Sequence, residues 1–179
     1  MAGWCRGYWS SQGRVEGDRI RLQVPHRIAS VAAVDRGSTY IGSGPWYNAK
    51  SQLIASNVAD LHGDQQRDRN NIQRATALDA RGREIPGNEH DTLTGSDSLG
   101  RAFTDGIDHT CNNWTADGVT LPQQNPNVPA DRVRAMLGHM DRTGGQNTSW
   151  NAAHMSQGCS KQAFNNTGGA GRIYCFALD

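Results

Sequence analysis

Histidine and acidic residues recur side by side along this chain, and together they suit a metal ion. Four of the six histidines lie within two residues of an Asp or Glu: His62, His90, His109 and His139. Imidazole and carboxylate ligands favour Zn²⁺ or a related ion. No histidine pair has the i, i+4 helical spacing of a zinc motif, so distant loops would have to assemble the site. The candidate metal ligands are His90, His109, His139 and Asp141. The alternative is that these histidines stabilise loops through hydrogen bonds.

Side-chain oxygens, the ligands that a Ca²⁺ site would need, are also abundant. The segments 88–91 (Asn-Glu-His-Asp) and 112–113 (Asn-Asn) carry side-chain oxygens of the kind that Ca²⁺ prefers. Recognition of a ligand without calcium, by Trp, Asn and Arg side chains of loops, is the other interpretation. The candidate ligand-binding residues are Asn88, Glu89, Asp91, Arg101, Asn112, Asn113 and Trp150. Burial in the core is the first interpretation of Trp150, because a stacking tryptophan would have to be exposed.

Nucleophilic catalysis has no signature in the sequence. There is no Gly-x-Ser-x-Gly elbow. Ser149 and Ser156 lie near His154, and a cysteine could be paired with His109, but neither arrangement belongs to a recognised motif. Cysteines that form disulfides cannot act as nucleophiles. A metal-dependent hydrolase that uses the His and Asp residues is therefore the enzymatic hypothesis.

The four cysteines are an even number and include no C-x-x-C pair. Two disulfides are the first interpretation, and they require an oxidising compartment. The alternative is four reduced thiols in a cytosolic protein. No apolar h-region of a secretory signal occurs between Met1 and Arg21, which keeps that alternative open.

Charge and composition exclude several classes of partner. The chain has 18 basic and 17 acidic residues and no block of like charges, which argues against binding nucleic acid or an anionic membrane. No apolar run reaches the roughly 18 residues that a membrane span needs. Leu, Ile, Val and Phe number 9, 8, 8 and 3, so 28 of 179 residues must form most of the core. We therefore expect a fold that depends on aromatic burial, polar networks and cross-links.

The elements that must position these residues are short. We predict a strand over 19–24, a turn that leads into a short strand over 42–47, strands over 52–56 and 75–78, and one helical turn over 57–61 that is capped by Asn57. Three prolines between 119 and 131 indicate an insertion loop, and residues 131–137 are expected to form one or two turns of helix. The glycine-rich turn 168–171 should lead into a final central strand over 172–177.

Several motifs occur in the order seen in a bacterial extracellular domain family of undefined biochemistry. They are Thr94-Gly-Ser96, Gly100-Arg101, Cys111-Asn-Asn-Trp114, Gly158-Cys159 and Tyr174-Cys-Phe176, and the segments 42–48 and 57–61 match the upstream half. That family is similar to the endostatin domain of collagen XVIII and, more distantly, to C-type lectin-like folds. The resemblance covers about residues 41–177.

The resemblance implies an α+β, C-type lectin-like or endostatin-like fold with a small antiparallel sheet, one or two helices, long loops and nested disulfides. It implies the pairs Cys111–Cys159 and Cys5–Cys175. Residues 1–40 lack the family's helix and signal peptide, so they are interpreted as a divergent or truncated N-terminal segment that forms one domain with residues 41–179. The expected location is extracellular or at the cell surface.

The function expected from this resemblance is non-catalytic recognition by a lectin-like module, with a carbohydrate or a matrix polymer as the ligand and the loops between 85 and 160 as the binding face. The metal-dependent hydrolase is one alternative. A structural envelope or matrix protein without a small ligand is another. Ca²⁺ and Zn²⁺ are the two candidate cofactors, and the sequence does not indicate an oligomeric state.

Overall fold

The architecture of the chain follows from a computed structural model. It describes residues 2–5, 8–9, 15–16, 43–62, 70–79, 81–114, 116, 134–143 and 148–176, with side chains from residue 43 onward except at 113, 175 and 176. The strands are β1 (Ala2–Cys5), β2 (Tyr8–Trp9), β3 (Val15–Glu16), β4 (Trp46–Tyr47), β5 (Leu53–Ala55), β6 (Asp91–Leu93), β7 (Met136–His139), β8 (His154–Met155) and β9 (Gly169–Phe176). The helices are α1 (Val58–His62), α2 (Cys111–Trp114) and α3 (Lys161–Asn165).

The central feature is a five-stranded sheet with the order β1-β9-β6-β7-β8. All neighbours are antiparallel except β6 and β9, which are parallel, so the sheet is mixed. Two further pairs, β2 with β3 and β4 with β5, form small ribbons. The sheets and short helices together are consistent with the α+β class. The resemblance to a lectin-like fold stays a prediction.

Local signals located several elements well. Strands β4 and β5 lie in two of the predicted segments, and α1 begins directly after Asn57, whose Oδ1 accepts a hydrogen bond from the Asp60 N–H at 2.9 Å. The long strand β9 starts within the glycine-rich turn and has a neighbour on each side.

The helix predicted over 131–137 is wrong for residues 134–137. Ala135 forms a β-bridge with Thr110, and β7 begins at Met136. Pairing on both sides of this segment outweighs its weak helical pattern, since β7 lies between β6 and β8. The strand predicted over 19–24 and the loop over 119–131 lie outside the described residues.

Side chains on the two faces of the sheet pack into two clusters. The larger one surrounds Trp150, which is fully buried beside Tyr174 at a centroid distance of 5.0 Å. The smaller one contains Leu93, Leu137 and Phe164 together with a disulfide. Leu93 and Leu137 are directly opposed on β6 and β7, so both point to the same face.

The motif Thr94-Gly-Ser96 has a structural role. The Thr94 hydroxyl donates to the Asn151 carbonyl at 2.5 Å, and the Asn151 amide donates to the Ser96 hydroxyl at 3.3 Å. Gly95 adopts a φ of 65°, and a Cβ there would lie 2.9 Å from the Trp114 ring. The motif therefore joins the end of β6 to the loop that carries Trp150 and Asn151.

The short helix α2 is a left-handed turn. Cys111, Asn112 and Trp114 have φ values of 52°, 54° and 65°, which are unfavourable for residues with a Cβ. The Asp108 carboxylate supports the turn by accepting hydrogen bonds from the N–H groups of Thr110 and Asn112. Cys111 lies in this turn and forms a disulfide with Cys159, as the resemblance implies. The right-handed helices α1 and α3 match the expected number of one or two.

Removal of this disulfide should destabilise the fold strongly. The bridge closes a segment with a sequence separation of 48 residues. Closing a segment of this length lowers the entropy of the unfolded chain by an amount worth about 4 kcal/mol. We therefore expect the double variant Cys111→Ala/Cys159→Ala to lose about 4 kcal/mol of unfolding free energy in urea. A loss below about 1 kcal/mol would contradict this account.

The backbones of Cys5 and Cys175 lie on adjacent strands. Cys5 is opposite Ile173 and Gly3 is opposite Cys175 in the β1–β9 register. Their side chains lie outside those described, so the implied Cys5–Cys175 pair stays a prediction. Within the part of the chain that the structure describes, no helix is both long and apolar enough to cross a membrane.

Asp79 organises the tight turn that follows Leu78. Its carboxylate accepts hydrogen bonds from the backbone N–H of Arg81 and Arg83, both at 2.9 Å, and from the Arg83 Nε at 2.7 Å. Burial of Asp79 opposes ionisation, but the hydrogen bonds and charge of Arg83 outweigh it and lower the pKa of the carboxyl.

The Asp79→Asn variant should lose about 1 to 2 kcal/mol near pH 7, because the hydrogen bonds to a charged acceptor are weakened. Because the pKa of Asp79 is lowered from its ordinary value of 3.8, the ionised carboxylate stabilises the fold at pH values above 3.8. This stabilisation is lost as the pH falls through the pKa of the folded state. The difference in Tm between wild type and variant should therefore shrink below about pH 4. Thermal melts from pH 7 to pH 2.5 would check this, and a constant difference would contradict it.

Candidate metal centre

Three imidazoles converge on one carboxylate oxygen. The Nε2 atoms of His90, His139 and His154 lie 3.3, 3.3 and 3.5 Å from Oδ1 of Asp91. The rings of His90 and His139 stack at a centroid distance of 4.6 Å, and His154 approaches His139 edge-on at 5.0 Å. His90, Asp91 and His139 each offer a ligand atom within 4.8 Å of the others.

The register of the sheet produces this convergence. Asp91 on β6 is directly opposite His139 on β7, so both side chains point to the same face. His154 on β8 is opposite Leu137, which lies two residues before His139 and shares its face. The sheet therefore places three of the four residues on the face that carries the smaller core cluster. His90 reaches the same point from the residue just before β6.

Two glycines make room for the centre. A Cβ at Gly168 would lie 2.9 Å from the Nε2 of His90, and one at Gly169 would lie 3.1 Å from the Cβ of Asp91. The Asp91 N–H also donates to the Gly168 carbonyl at 3.1 Å. The glycine-rich start of β9 thus allows the backbone to pass directly beside His90 and Asp91.

The centre is buried on one side and reachable on the other. The side chains of Asp91 and His139 are 1% and 4% exposed, whereas those of His90 and His154 are 20% and 25% exposed. Both carboxylate oxygens of Asp91 and both ring nitrogens of His139 lack a partner with hydrogen-bond geometry among the described residues. Buried polar atoms in this state are costly, so this group of side chains suits an additional binding partner.

The electrostatics of the centre keep Asp91 ionised. Burial raises the pKa of Asp91, but the facing imidazoles of His139 and His154 outweigh burial and lower the pKa to about 2. Asp91 in turn raises the pKa of His154, against the effect of burial. A permanently charged, buried carboxylate surrounded by nitrogen ligands is the arrangement that attracts a cation.

The Asp141 carboxylate lies outside the centre and contacts the imidazole ring of His90. Its Oδ1 is 3.2 Å from the Nδ1 of His90, and its Oδ2 accepts a hydrogen bond from the Arg74 guanidinium at 3.0 Å. The Thr143 N–H also donates to Oδ1 at 3.0 Å. When His90 donates its Nδ1–H to Asp141, the lone pair of Nε2 points toward Asp91.

The structure assembles only part of the predicted metal set. His90 and His139 come together, whereas Asp141 contacts Nδ1 of His90, on the side of the ring away from Asp91. His109 lies elsewhere: its ring stacks on Phe103 at 3.6 Å and its Nε2 is 2.9 Å from Asp105. The centre instead includes Asp91, which was expected to bind a ligand, and His154, which was not expected to take part.

His154 was missed because no acidic residue lies within two positions of it in the sequence. The alternating pattern of a two-residue strand is too short to show which face a side chain occupies. No local signal in the sequence could have found it. Asp91 follows His90 in the chain, so the sequence could have indicated that Asp91 belongs to the same site.

The candidate ligand-binding residues are dispersed. Asn88 and Glu89 immediately precede the centre in the chain. Asn88 is exposed, and Glu89 pairs with the buried Arg172. Arg101 and Asn112 are exposed in two other loops, and the side chain of Asn113 lies outside those described. Trp150 is 0% exposed, which agrees with core burial, its first interpretation, and leaves its ring unable to stack on a ligand. Its ring is buried because the core needs large aromatic volume where aliphatic residues are few.

Comparison with protein-family models, curated proteins and solved structures found no match to this chain.

Proposed function

We propose that the chain binds a zinc-class divalent ion through His90, Asp91 and His139, and that this ion serves hydrolytic chemistry. The carrying observation is the convergence of three imidazole nitrogens on one buried, ionised carboxylate. In a tetrahedral site with metal–ligand bonds of about 2.0 to 2.1 Å, neighbouring ligand atoms lie about 3.3 to 3.4 Å apart. The distances from Asp91 to His90 and His139, both 3.3 Å, already have this value.

The ligand types favour zinc over calcium. Ca²⁺ takes six to eight oxygen ligands, whereas this centre offers mainly imidazole nitrogen. Two imidazoles and one carboxylate are also the ligand set of several catalytic zinc sites, which keep a fourth position open. His154 is partly exposed beside Asp91, so it borders the side from which solvent reaches the centre.

Each residue then has a separate task. A bound Zn²⁺ would supply Lewis acidity and lower the pKa of a coordinated water. Asp91 contributes negative charge from a buried position, and His139 is held rigidly in the sheet. Asp141 orients His90 from outside the centre. His154, with its raised pKa, is placed to hold or accept a proton at Nε2.

Metal content and turnover measured on one preparation test this proposal. Mass spectrometry should find about one zinc per chain after loading with Zn²⁺ and desalting. Hydrolysis of p-nitrophenyl acetate or bis(p-nitrophenyl) phosphate should require the metal and disappear after chelation. Zinc without turnover on either probe would overturn the hydrolytic role, and no retained zinc would overturn the centre itself.

Metal-assisted recognition is the second candidate, and the exposed position of Asn88 beside the centre favours it. An oxygen of a carbohydrate or matrix polymer would then occupy the open position instead of water. The disulfide supports an extracellular or cell-surface setting for this function. Zinc-dependent retention on immobilised polysaccharide, without hydrolysis of either probe, would select this candidate.

Loss of the Asp141 carboxylate should weaken the centre without removing a ligand. Replacement of the outer carboxylate of a metal-bound histidine lowers affinity by roughly 10- to 100-fold. We expect the same range for Asp141→Asn, measured by competition with a zinc chelator. Asp97→Asn is the matched control, because the Asp97 carboxylate accepts hydrogen bonds from the N–H groups of Leu99 and Arg101 in its own loop, away from the centre. Equal affinity of Asp141→Asn and wild type would contradict the assigned role.

A further inference from the structure

A row of soft side chains crosses the other face of the sheet. The bridge between Thr110 and Ala135 places His109 opposite Met136, and Met136 is opposite Met155 in the β7–β8 register. Directly opposed residues share a face, so the three side chains form one row over three neighbouring segments. Since Met155 follows His154, this row lies on the face opposite the His–Asp centre.

The two outer residues of the row, His109 and Met155, contact each other across Met136. The Nδ1 of His109 lies 3.2 Å from the Sδ of Met155, although Met136 separates the two residues in the sheet. The N–H of Met136 donates to His109 and its carbonyl accepts from Thr94, so both groups point away from β8. Met136 and Met155 are therefore a non-hydrogen-bonded pair, whose side chains approach more closely than those of a hydrogen-bonded pair.

The contact brings two electron-pair donors together. Asp105 accepts a hydrogen bond from Nε2 of His109 at 2.9 Å, which in the neutral imidazole leaves a lone pair on Nδ1. That lone pair faces a thioether sulfur, which is itself only a weak acceptor. In this tautomer neither atom carries a proton for the other, so a cation can bind to both lone pairs. Phe103 stacks on the ring and restricts its rotation.

We propose that His109, Met155 and Met136 bind a soft monovalent ion, Cu(I). Thioether sulfur selects Cu(I) over hard divalent ions, and imidazole also suits copper. The hydrogen bond from His109 to Asp105 is the outer contact that fixes the tautomer of a metal-binding histidine. The flexible thioethers of the two methionines adjust their position by rotation of the side chain. The site is independent of the zinc-class centre, because it uses other residues on the other face.

The test is anaerobic competition for Cu(I) with bicinchoninate, on protein whose free thiols have been counted and blocked. Wild type should retain about one Cu(I) per chain. Met155→Leu and Met136→Leu should each bind at least tenfold more weakly. These swaps conserve side-chain volume, so the variants should fold. Met140→Leu is the matched control, because Met140 is fully buried in the larger core cluster.

The same titration in a His139→Phe background separates this site from the zinc-class centre. Cu(I) binding should persist there, because His139 does not belong to the row. Loss of Cu(I) binding in that background would assign the ion to the His–Asp centre and overturn the proposal. Equal affinities of wild type, Met155→Leu and Met136→Leu would also overturn it. Failure of wild type to compete for Cu(I) would overturn the proposal as well.

Discussion

Replacing Gly138 with alanine is expected to prevent stable folding. Gly138 lies in the middle of β7, and a Cβ there would be 1.7 Å from the Trp150 carbonyl oxygen and 2.6 Å from the Asn151 Cα. These are backbone atoms, so no side-chain rotation relieves the overlap. The Trp150 carbonyl also accepts the hydrogen bond of the Tyr174 hydroxyl at 2.7 Å. Any shift of that loop therefore disturbs the larger core cluster.

The expected loss exceeds about 4 kcal/mol, which is beyond the range of most single substitutions. Urea unfolding, or the soluble yield if no transition remains, would measure it. Gly87→Ala is the matched control, since a Cβ there would meet only the flexible end of Arg74 at 3.4 Å. Equal stabilities of Gly138→Ala and Gly87→Ala would contradict the close approach of β7 to the 150–151 loop.

Replacing His139 with phenylalanine is expected to weaken zinc binding strongly. Phenylalanine preserves an aromatic ring for stacking on His90 but offers no ligand atom. Removal of a direct ligand should cost more than removal of an outer contact, so we expect affinity to fall at least 100-fold. The gain in stability on adding zinc should fall by about 2.7 kcal/mol or more, because each tenfold loss of affinity is worth about 1.4 kcal/mol. At 1,000 times its Kd, zinc stabilises wild type by about 4 kcal/mol.

Isothermal titration calorimetry and melts with and without zinc provide both measurements. His109→Gln is the control, because His109 was expected to be a ligand from the sequence but lies outside the centre. Zinc should still stabilise that variant. Zinc binding that persists in His139→Phe would contradict the centre seen in the structure, and its loss in His109→Gln would place the ion at His109 instead.

Local chemistry in the sequence predicted the parts of the fold that depend on near neighbours. The capping of α1 by Asn57 and the glycine-rich start of β9 depend on residues a few positions apart. The region 134–137 shows the limit of such reasoning. Its own pattern favours a helix weakly, but its neighbours in space are β6, β8 and the segment around Thr110. Pairing with these distant segments supplies backbone hydrogen bonds, and they favour a strand over a helix in this region.

By itself, the sequence determined which side chains were available: imidazoles, carboxylates, an even number of cysteines and few aliphatic residues. It also placed His90 next to Asp91, which are neighbours in the chain. The tertiary structure alone brings His139 and His154 to them, sets the Asp141 carboxylate against Nδ1 of His90, and brings His109 to Met155. The reason is that strand register brings residues about 50 positions apart onto one face, and a shift of one residue would turn every side chain to the other face.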